Sequence, residues 1–221
     1  MRVMKQAYAS QSSASTRPWD ARLARKLILP LVPTRVSPNH LTTIRLLVGL
    51  ASVAAFAAGG YGWSNIGAVL LVLSNFLDHT DGELARVSGK TSRFGHVYDL
   101  ASDALIHVLL FAAIGYGLRN GTLGAAALPM GVLAGSAVSL IFWLRMQIEA
   151  RLGKAGTRQP AFAGFEVEDV LYLMPLATVT GVLQPLLIAA AVGAPLFALW
   201  VIAEFVRMPA RTASSSALPR R

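Results

Sequence analysis

Apolar runs of membrane-spanning length constrain this chain more than any other feature. Six follow one another, at about 41–59, 63–84, 97–118, 123–145, 167–183 and 186–206. Hydrocarbon offers no hydrogen bonds to a backbone, and a helix closes its own within the segment, so each run is expected to be a transmembrane helix. Of the 221 residues, 54% are hydrophobic and 14% charged, whereas about a quarter are charged in an ordinary soluble domain. Cysteine is absent, which excludes disulfides and thiolate metal sites.

The net charge of +9 is unevenly placed. The connections at Gly60-Tyr61-Gly62 and Gln184-Pro185 carry no charge, and the one near Asn120 has only Arg119. The other side holds Arg2, Lys5, Arg17, Arg22, Arg25, Lys26 and Arg35, then Lys90 and Arg93, then Arg151, Lys154 and Arg158, then Arg207, Arg211, Arg220 and Arg221. Basic residues mark the cytoplasmic side of spans, so both termini are expected there. The surplus then orients the chain and attracts anionic lipid; with no basic-aromatic module, nucleic-acid polymer is not an expected partner. The expected membrane is the cell, or inner, membrane.

Four segments are expected. Residues 1–17 form a polar, Ser-rich, disordered tail without the apolar core of a cleaved signal. Residues 18–35 form an amphipathic juxtamembrane helix, with Trp19, Leu23, Leu27 and Ile28 on one face and Arg22, Arg25 and Lys26 beside it. Residues 36–208 hold the six-helix catalytic domain, and 209–221 a disordered basic tail. Ser37 or Asn39 is placed to cap the first span. Gly131 and Gly135 form a GxxxG pair, which permits close packing inside one subunit or a homodimer.

Against this apolar background stands an acidic pattern: Asp78-x-x-Asp81-Gly82-x-x-Ala85-Arg86, then Gly95-x-x-x-Asp99-x-x-x-Asp103. One carboxylate at mid-bilayer costs roughly 2.5–3.5 kcal/mol, so four require compensating positive charge. Spacings of three and four put each aspartate pair on one helical face, and a tight hairpin can bring the two faces together. Two divalent cations would balance four carboxylates, and oxygen-only ligands favour Mg²⁺, with Mn²⁺ possible. Two such ions suit in-line phosphoryl chemistry. Gly82, Ala85 and Gly95 keep the throat of the hairpin open, and Arg86 can contact a diphosphate. Asp103 lies deepest along its span and can take a proton from an incoming hydroxyl.

This pattern resembles the signature of the CDP-alcohol phosphotransferase (phosphatidyltransferase) family at every fixed position and both gaps. Pro38-Asn39-His40-Leu41-Thr42 is similar to the family's entry to its first span. The resemblance implies an integral membrane enzyme of phospholipid biosynthesis, moving a phospho-alcohol group from a CDP-linked donor to an acceptor alcohol with release of CMP. It further implies that Asp78 and Asp99 bridge two metals. Asp81 would hold the first metal, and Asp103 would hold the second and act as general base. Gly82, Arg86 and Ser92 would line the nucleotide-diphosphate site, with Asn39 to Thr42 over the cytidine. Ser92 is equally placed to cap the third span.

Arg145, Arg151, Lys154 and Arg158 are candidates for acceptor binding. His79, His96 and His107 lie in or beside the motif without a family role, as does the patch Glu166, Glu168 and Asp169. The donor is expected to be CDP-diacylglycerol and the acceptor a small alcohol. Glu83 points weakly to the alternative, transfer from a soluble CDP-alcohol to a lipid or polyol. A cation or proton-coupled transporter would use the same carboxylates, but it leaves Gly82 and Arg86 without a role.

Overall fold

The computed structural model describes residues 19–152 and 171–208. These form seven α-helices: α1 (Trp19–Ile28), α2 (Pro38–Ala58), α3 (Tyr61–Ser88), α4 (Arg93–Gly117), α5 (Ala127–Leu152), α6 (Met174–Val179) and α7 (Leu183–Arg207). No strand occurs among the described residues. Local sequence fixes the ends. Ser37 precedes α2, Pro38 opens it without losing a hydrogen bond, and the His40 ring Nδ1 accepts from the Ser37 N–H at 3.3 Å. Gly59 and Gly60, at φ 72° and 78°, turn the chain from α2 into α3, and Gly89, at φ 68°, stops α3. Ser92 caps α4, its Oγ accepting from the Gly95 N–H at 2.9 Å.

Consecutive long helices run antiparallel. Helix α3 packs on α2, α4 on both α2 and α5, and α5 on α7, while α1 and α6 lie against α3. Phe56, Leu71, Leu110, Ile114 and Leu187 fill the central core. Its tightest seam joins α4 to α5. A Cβ added at Gly131 would lie 2.1 Å from the Phe111 carbonyl oxygen, and one at Gly135 would lie 2.8 Å from that of His107. The GxxxG pair therefore seats a neighbouring helix within the chain. Gly131→Leu should force the two backbones apart, cost about 1–3 kcal/mol or more, and lower the unfolding midpoint in detergent. An unchanged midpoint would contradict this seam.

The surface is that of a membrane protein. Leu47, Val69, Leu196 and Leu199 are each more than 60% exposed, and many other large apolar side chains face outward with them. Four stretches are long and apolar enough to cross a bilayer: Pro38–Ala58, Arg93–Gly117, Gly124–Arg151 and Leu183–Arg207. They correspond to four of the six expected spans, and with the family assigned below they make the protein integral to a membrane. Helix α3 has the length, with 28 residues rising about 42 Å. Its apolar run is interrupted by Asn65 and Asn75 before the aspartates begin. The fifth expected span is represented by α6, six residues long; its first part lies outside the described residues. So do the two tails and the patch Glu166, Glu168 and Asp169.

Helix α1 shows two faces. Ala24 and Ile28 are fully buried, Ile28 packing with Leu41 and Leu84, whereas Leu23 and Leu27 are about half exposed. The expected face thus divides: the two leucines look outward, Ile28 docks the helix on the bundle, and the Trp19 and Arg22 side chains lie outside the description.

Candidate active site

The helical spacing does what the sequence suggested for each aspartate pair. Asp78 and Asp81 share a face of α3, Asp99 and Asp103 a face of α4, and the antiparallel packing turns those faces toward each other. All four lie about 10–15 Å from the same end of the bundle, at a 1.5 Å rise per residue. What joins them is a residue of α2 that the sequence reading missed. The guanidinium of Arg45, only 5% exposed, reaches every carboxylate. It lies 3.0 Å from Asp78 Oδ1 and 3.5 Å from Asp81 Oδ2, and donates to Asp99 Oδ1 at 2.7 Å. It also donates to Asp103 Oδ1 and, at 3.1 Å, to the Asp99 carbonyl. The Ser74 hydroxyl donates to the Arg45 carbonyl at 2.9 Å, tying α3 to this turn of α2. A lone arginine inside an apolar run was the available signal, because it carries the same insertion cost as the aspartates.

Three carboxylates form a tighter set. Ligand oxygens of Asp78, Asp99 and Asp103 lie within 4.8 Å of one another, close enough to share one cation. The donors are all oxygen, which fits Mg²⁺ or Mn²⁺. Asp81 stands outside this triad, 3% exposed, with its Oδ2 accepting from the Thr42 hydroxyl at 2.7 Å. The expected set of four is therefore grouped as three plus one.

Two cavities open on the cluster from opposite sides. The smaller, about 180 Å³, is lined by Asn39, Thr42, Asp81, Gly82, Ala85, Ser92, Gly95 and Asp99. Every expected donor-binding residue except Arg86 is thus brought to one cleft. Gly95 fits closely there: a Cβ would lie 2.7 Å from Asn39 Oδ1 and 3.1 Å from Ser92 Oγ, so a larger residue would have to push those side chains aside. Arg86 is 64% exposed on its side chain and pairs with Glu83 at 2.9 Å. Lys90, not singled out from sequence, also lines the cleft; its Nζ donates to the Thr34 and Val36 carbonyls at 2.8 and 3.1 Å. His96 lines it as well.

The larger cavity, about 300 Å³, lies between α3, α4 and α5. Asp78 and Asp103 line it with Asn75, His107, Ser139, Arg145 and Glu149. Of the two acceptor candidates among the described residues, Arg145 is brought here. Arg151 is exposed and stacks on Phe205 at 4.2 Å, away from the cavity. Lys154 and Arg158 lie outside the described residues. Arg145 is already engaged, 3.2 Å from Glu204 and 5.1 Å from the Trp200 ring centroid. The His79 ring Nδ1 donates to the Asn75 carbonyl oxygen at 2.9 Å, and His79 is not among the lining residues of either cavity.

Known proteins are similar to this chain in fold and in sequence. The fold is similar to that of phosphatidylinositol phosphate synthase from Mycobacterium tuberculosis, solved with CDP-DAG bound. That likeness has a TM-score of 0.52 and 22% identity, and covers 85% of this chain and 90% of the other. In sequence, the chain is 31% identical over 128 residues to the bifunctional IPC transferase and DIPP synthase of Rubrobacter xylanophilus. This covers 58% of the chain and 28% of the relative. It is 30% identical over 111 residues to the CDP-diacylglycerol–serine O-phosphatidyltransferase of Helicobacter pylori, covering 49% of the chain and 46% of the relative. The matches thus span less than half the length of these relatives. A family model is more decisive: it runs over residues 35–206, taking in α2 to α7, both cavities and the arginine between the aspartates. Over that span the chain belongs to the CDP-alcohol phosphatidyltransferase family, and it is a transferase of phosphate-containing groups.

Proposed function

We propose that this transferase moves a phosphatidyl group from CDP-diacylglycerol to a small alcohol, releasing CMP. One observation carries the reading: the carboxylate cluster is divided between two cavities. Asp81 and Asp99 line the cleft that holds the motif glycines, and Asp78 and Asp103 line the cavity on the far side. A donor diphosphate in the first and an alcohol in the second would meet at the aspartates.

The alcohol oxygen attacks the phosphorus bearing the diacylglycerol oxygen. A new P–O bond forms, the bond to the CMP oxygen breaks, and CMP carries away the electron pair. Asp103, whose side chain is 37% exposed, accepts the hydroxyl proton. Asn39, Thr42 and Ser92 bound the nucleotide, while Gly82, Ala85 and Gly95 admit the diphosphate close to the backbone. Arg86 swings from Glu83 to the phosphates. The family is divalent-metal dependent. Asp78, Asp81, Asp99 and Asp103 would hold two ions, Mg²⁺ or Mn²⁺, whose chemistry is to neutralise phosphoryl oxygens and the leaving group.

Six spans, with α3 and the region of α6 completing the set, and a cytoplasmic opening in the inner membrane accord with the basic residues at the aspartate end. Purified protein given CDP-diacylglycerol and a panel of alcohols should release CMP. EDTA should abolish the release and Mg²⁺ restore it; activity indifferent to chelation would sink the metal assignment. The second reading, a soluble CDP-alcohol as donor, draws on the partial likeness to bifunctional IPC transferase and DIPP synthase proteins. CMP release from a CDP-polyol but not from CDP-diacylglycerol would establish it instead.

A further inference from the structure

We propose that Lys90 is a strap across the rim of the donor cleft. Its ammonium ties the turn between α3 and α4 to the linker before α2, and so sets the spacing of the walls that hold the CDP-linked donor. The inference rests on the transferase reading, with the smaller cavity as donor cleft, and adds a positioning residue to it.

The cleft has two walls. Pro38, Asn39 and Thr42, at the start of α2, form one. The end of α3, the turn after it and the start of α4 form the other. Deep in the cleft the walls are joined by the Thr42 hydroxyl, which donates to Asp81 Oδ2 at 2.7 Å, and by Arg45, which donates to Asp99. Asp81 lies about 10 Å along α3 from its last residue, Ser88. At that outer end the walls are joined by Lys90, whose Nζ donates to the Thr34 carbonyl at 2.8 Å and the Val36 carbonyl at 3.1 Å.

Both ends of the strap are fixed locally. Gly89, at φ 68°, turns the chain out of α3, and the Thr91 N–H donates to its carbonyl at 2.9 Å. The Lys90 N–H donates to Ser88 Oγ at 3.3 Å, and that hydroxyl donates to the Leu84 carbonyl at 2.6 Å. On the other side, the Thr34 hydroxyl donates to the Leu31 carbonyl at 2.6 Å and accepts from the Val36 N–H at 3.2 Å. This side-chain turn brings the Thr34 and Val36 carbonyls within reach of one ammonium. The Val36 side chain packs on Ile28, Leu41 and Leu84, which anchors the linker to the bundle. The linker runs straight into Pro38 and Asn39, and Lys90 straight into Thr91 and Ser92, all four lining the cleft. A shift at the strap therefore moves lining residues on both walls.

An ammonium has three N–H donors and no acceptor, and two of the three are given to carbonyls. Lys90 is exposed, where water competes for such bonds, so their net contribution to the stability of the bundle is small. Their consequence is geometric. They join protein atoms alone, so the walls are set before the donor arrives, and less ordering is left to be done on binding. Lys90 is thus a positioning residue rather than a ligand of the phosphates.

The chain has no cysteine, so Arg35→Cys and Arg93→Cys give two unique spin-label positions, both exposed, one on each side of the strap. In the full-length protein, Lys90→Met should lengthen and broaden the distance between the labels. Lys90→Arg, whose guanidinium can also donate to two carbonyls, should restore it. Without labels, Lys90→Met should weaken binding of CMP and of CDP alike in calorimetry with Mg²⁺. It should raise the KM for CDP-diacylglycerol about tenfold, the size expected for a lost charge-assisted bond, and leave the acceptor KM and the unfolding midpoint unchanged. Lys90→Gln, uncharged and shorter, serves if the methionine variant does not fold. Unchanged label distances, or unchanged CDP affinity in a folded variant, would overturn the strap. A loss confined to CDP would overturn it too, by making Lys90 a direct phosphate ligand. A wild-type protein that neither binds CDP nor releases CMP from any donor defeats the transferase reading instead, while the label distances still decide whether Lys90 holds the walls.

Discussion

Asp103→Asn should cut acceptor-dependent CMP release by roughly 10²–10⁴-fold, the contribution typical of a positioned general base. The change is nearly isosteric, and the amide oxygen can still accept from Arg45, so the helices should keep their packing. What is lost is the ability to take the hydroxyl proton, together with one charge of the triad formed with Asp78 and Asp99. The measurement is CMP release at saturating donor and acceptor, with thermal unfolding and Mg²⁺ binding followed in parallel. A folded variant with wild-type turnover would remove Asp103 from the role of base. Loss of activity with loss of folding would instead mark it as structural.

Arg45→Met should destabilise the metal-free protein by about 3–5 kcal/mol, the cost of removing one partner from a buried ion pair. The expectation follows from geometry: a guanidinium 5% exposed touches all four carboxylates and links α2 to α3 and α4. Methionine leaves like charges facing one another beside hydrocarbon. Divalent cations should reverse much of the loss, because a ligand that binds only the folded state stabilises it by mass action. Metal affinity should also rise in the variant, since arginine and metal draw on the same carboxylate oxygens. Unfolding midpoints in EDTA and in Mg²⁺, for wild type and variant, test this directly. A variant that melts like wild type in EDTA would show that the cluster does not depend on Arg45 for its charge balance.

Much of the scaffold was legible from periodicity and length alone. Helices α2, α4, α5 and α7 fall close to the runs at 41–59, 97–118, 123–145 and 186–206. The polar extension of the fourth run through Arg151 is helical to Leu152. The Ser92 cap was also readable, because a cap is set by residues near in sequence, and the residues Asn39, Thr42, Gly82 and Gly95 were grouped by their match to the family's motif. Arg151 shows the opposite case. Which face of a long helix looks into a cavity depends on its neighbours, and here Phe205 of α7 draws the guanidinium away.

The sequence by itself determined the chemistry available at the centre: four carboxylates on two helical faces, no thiolates, and glycines at the fixed positions of the motif. It could do so because an aspartate's cost in an apolar run and its i, i+3 or i, i+4 alignment are local properties. Only the tertiary structure decided what balances those charges and how they are shared. Arg45 comes from a third helix, Asp81 is drawn to Thr42, and the cluster is split between two cavities. Burial and pairing across helices depend on which surfaces meet, and no spacing along one chain segment records that.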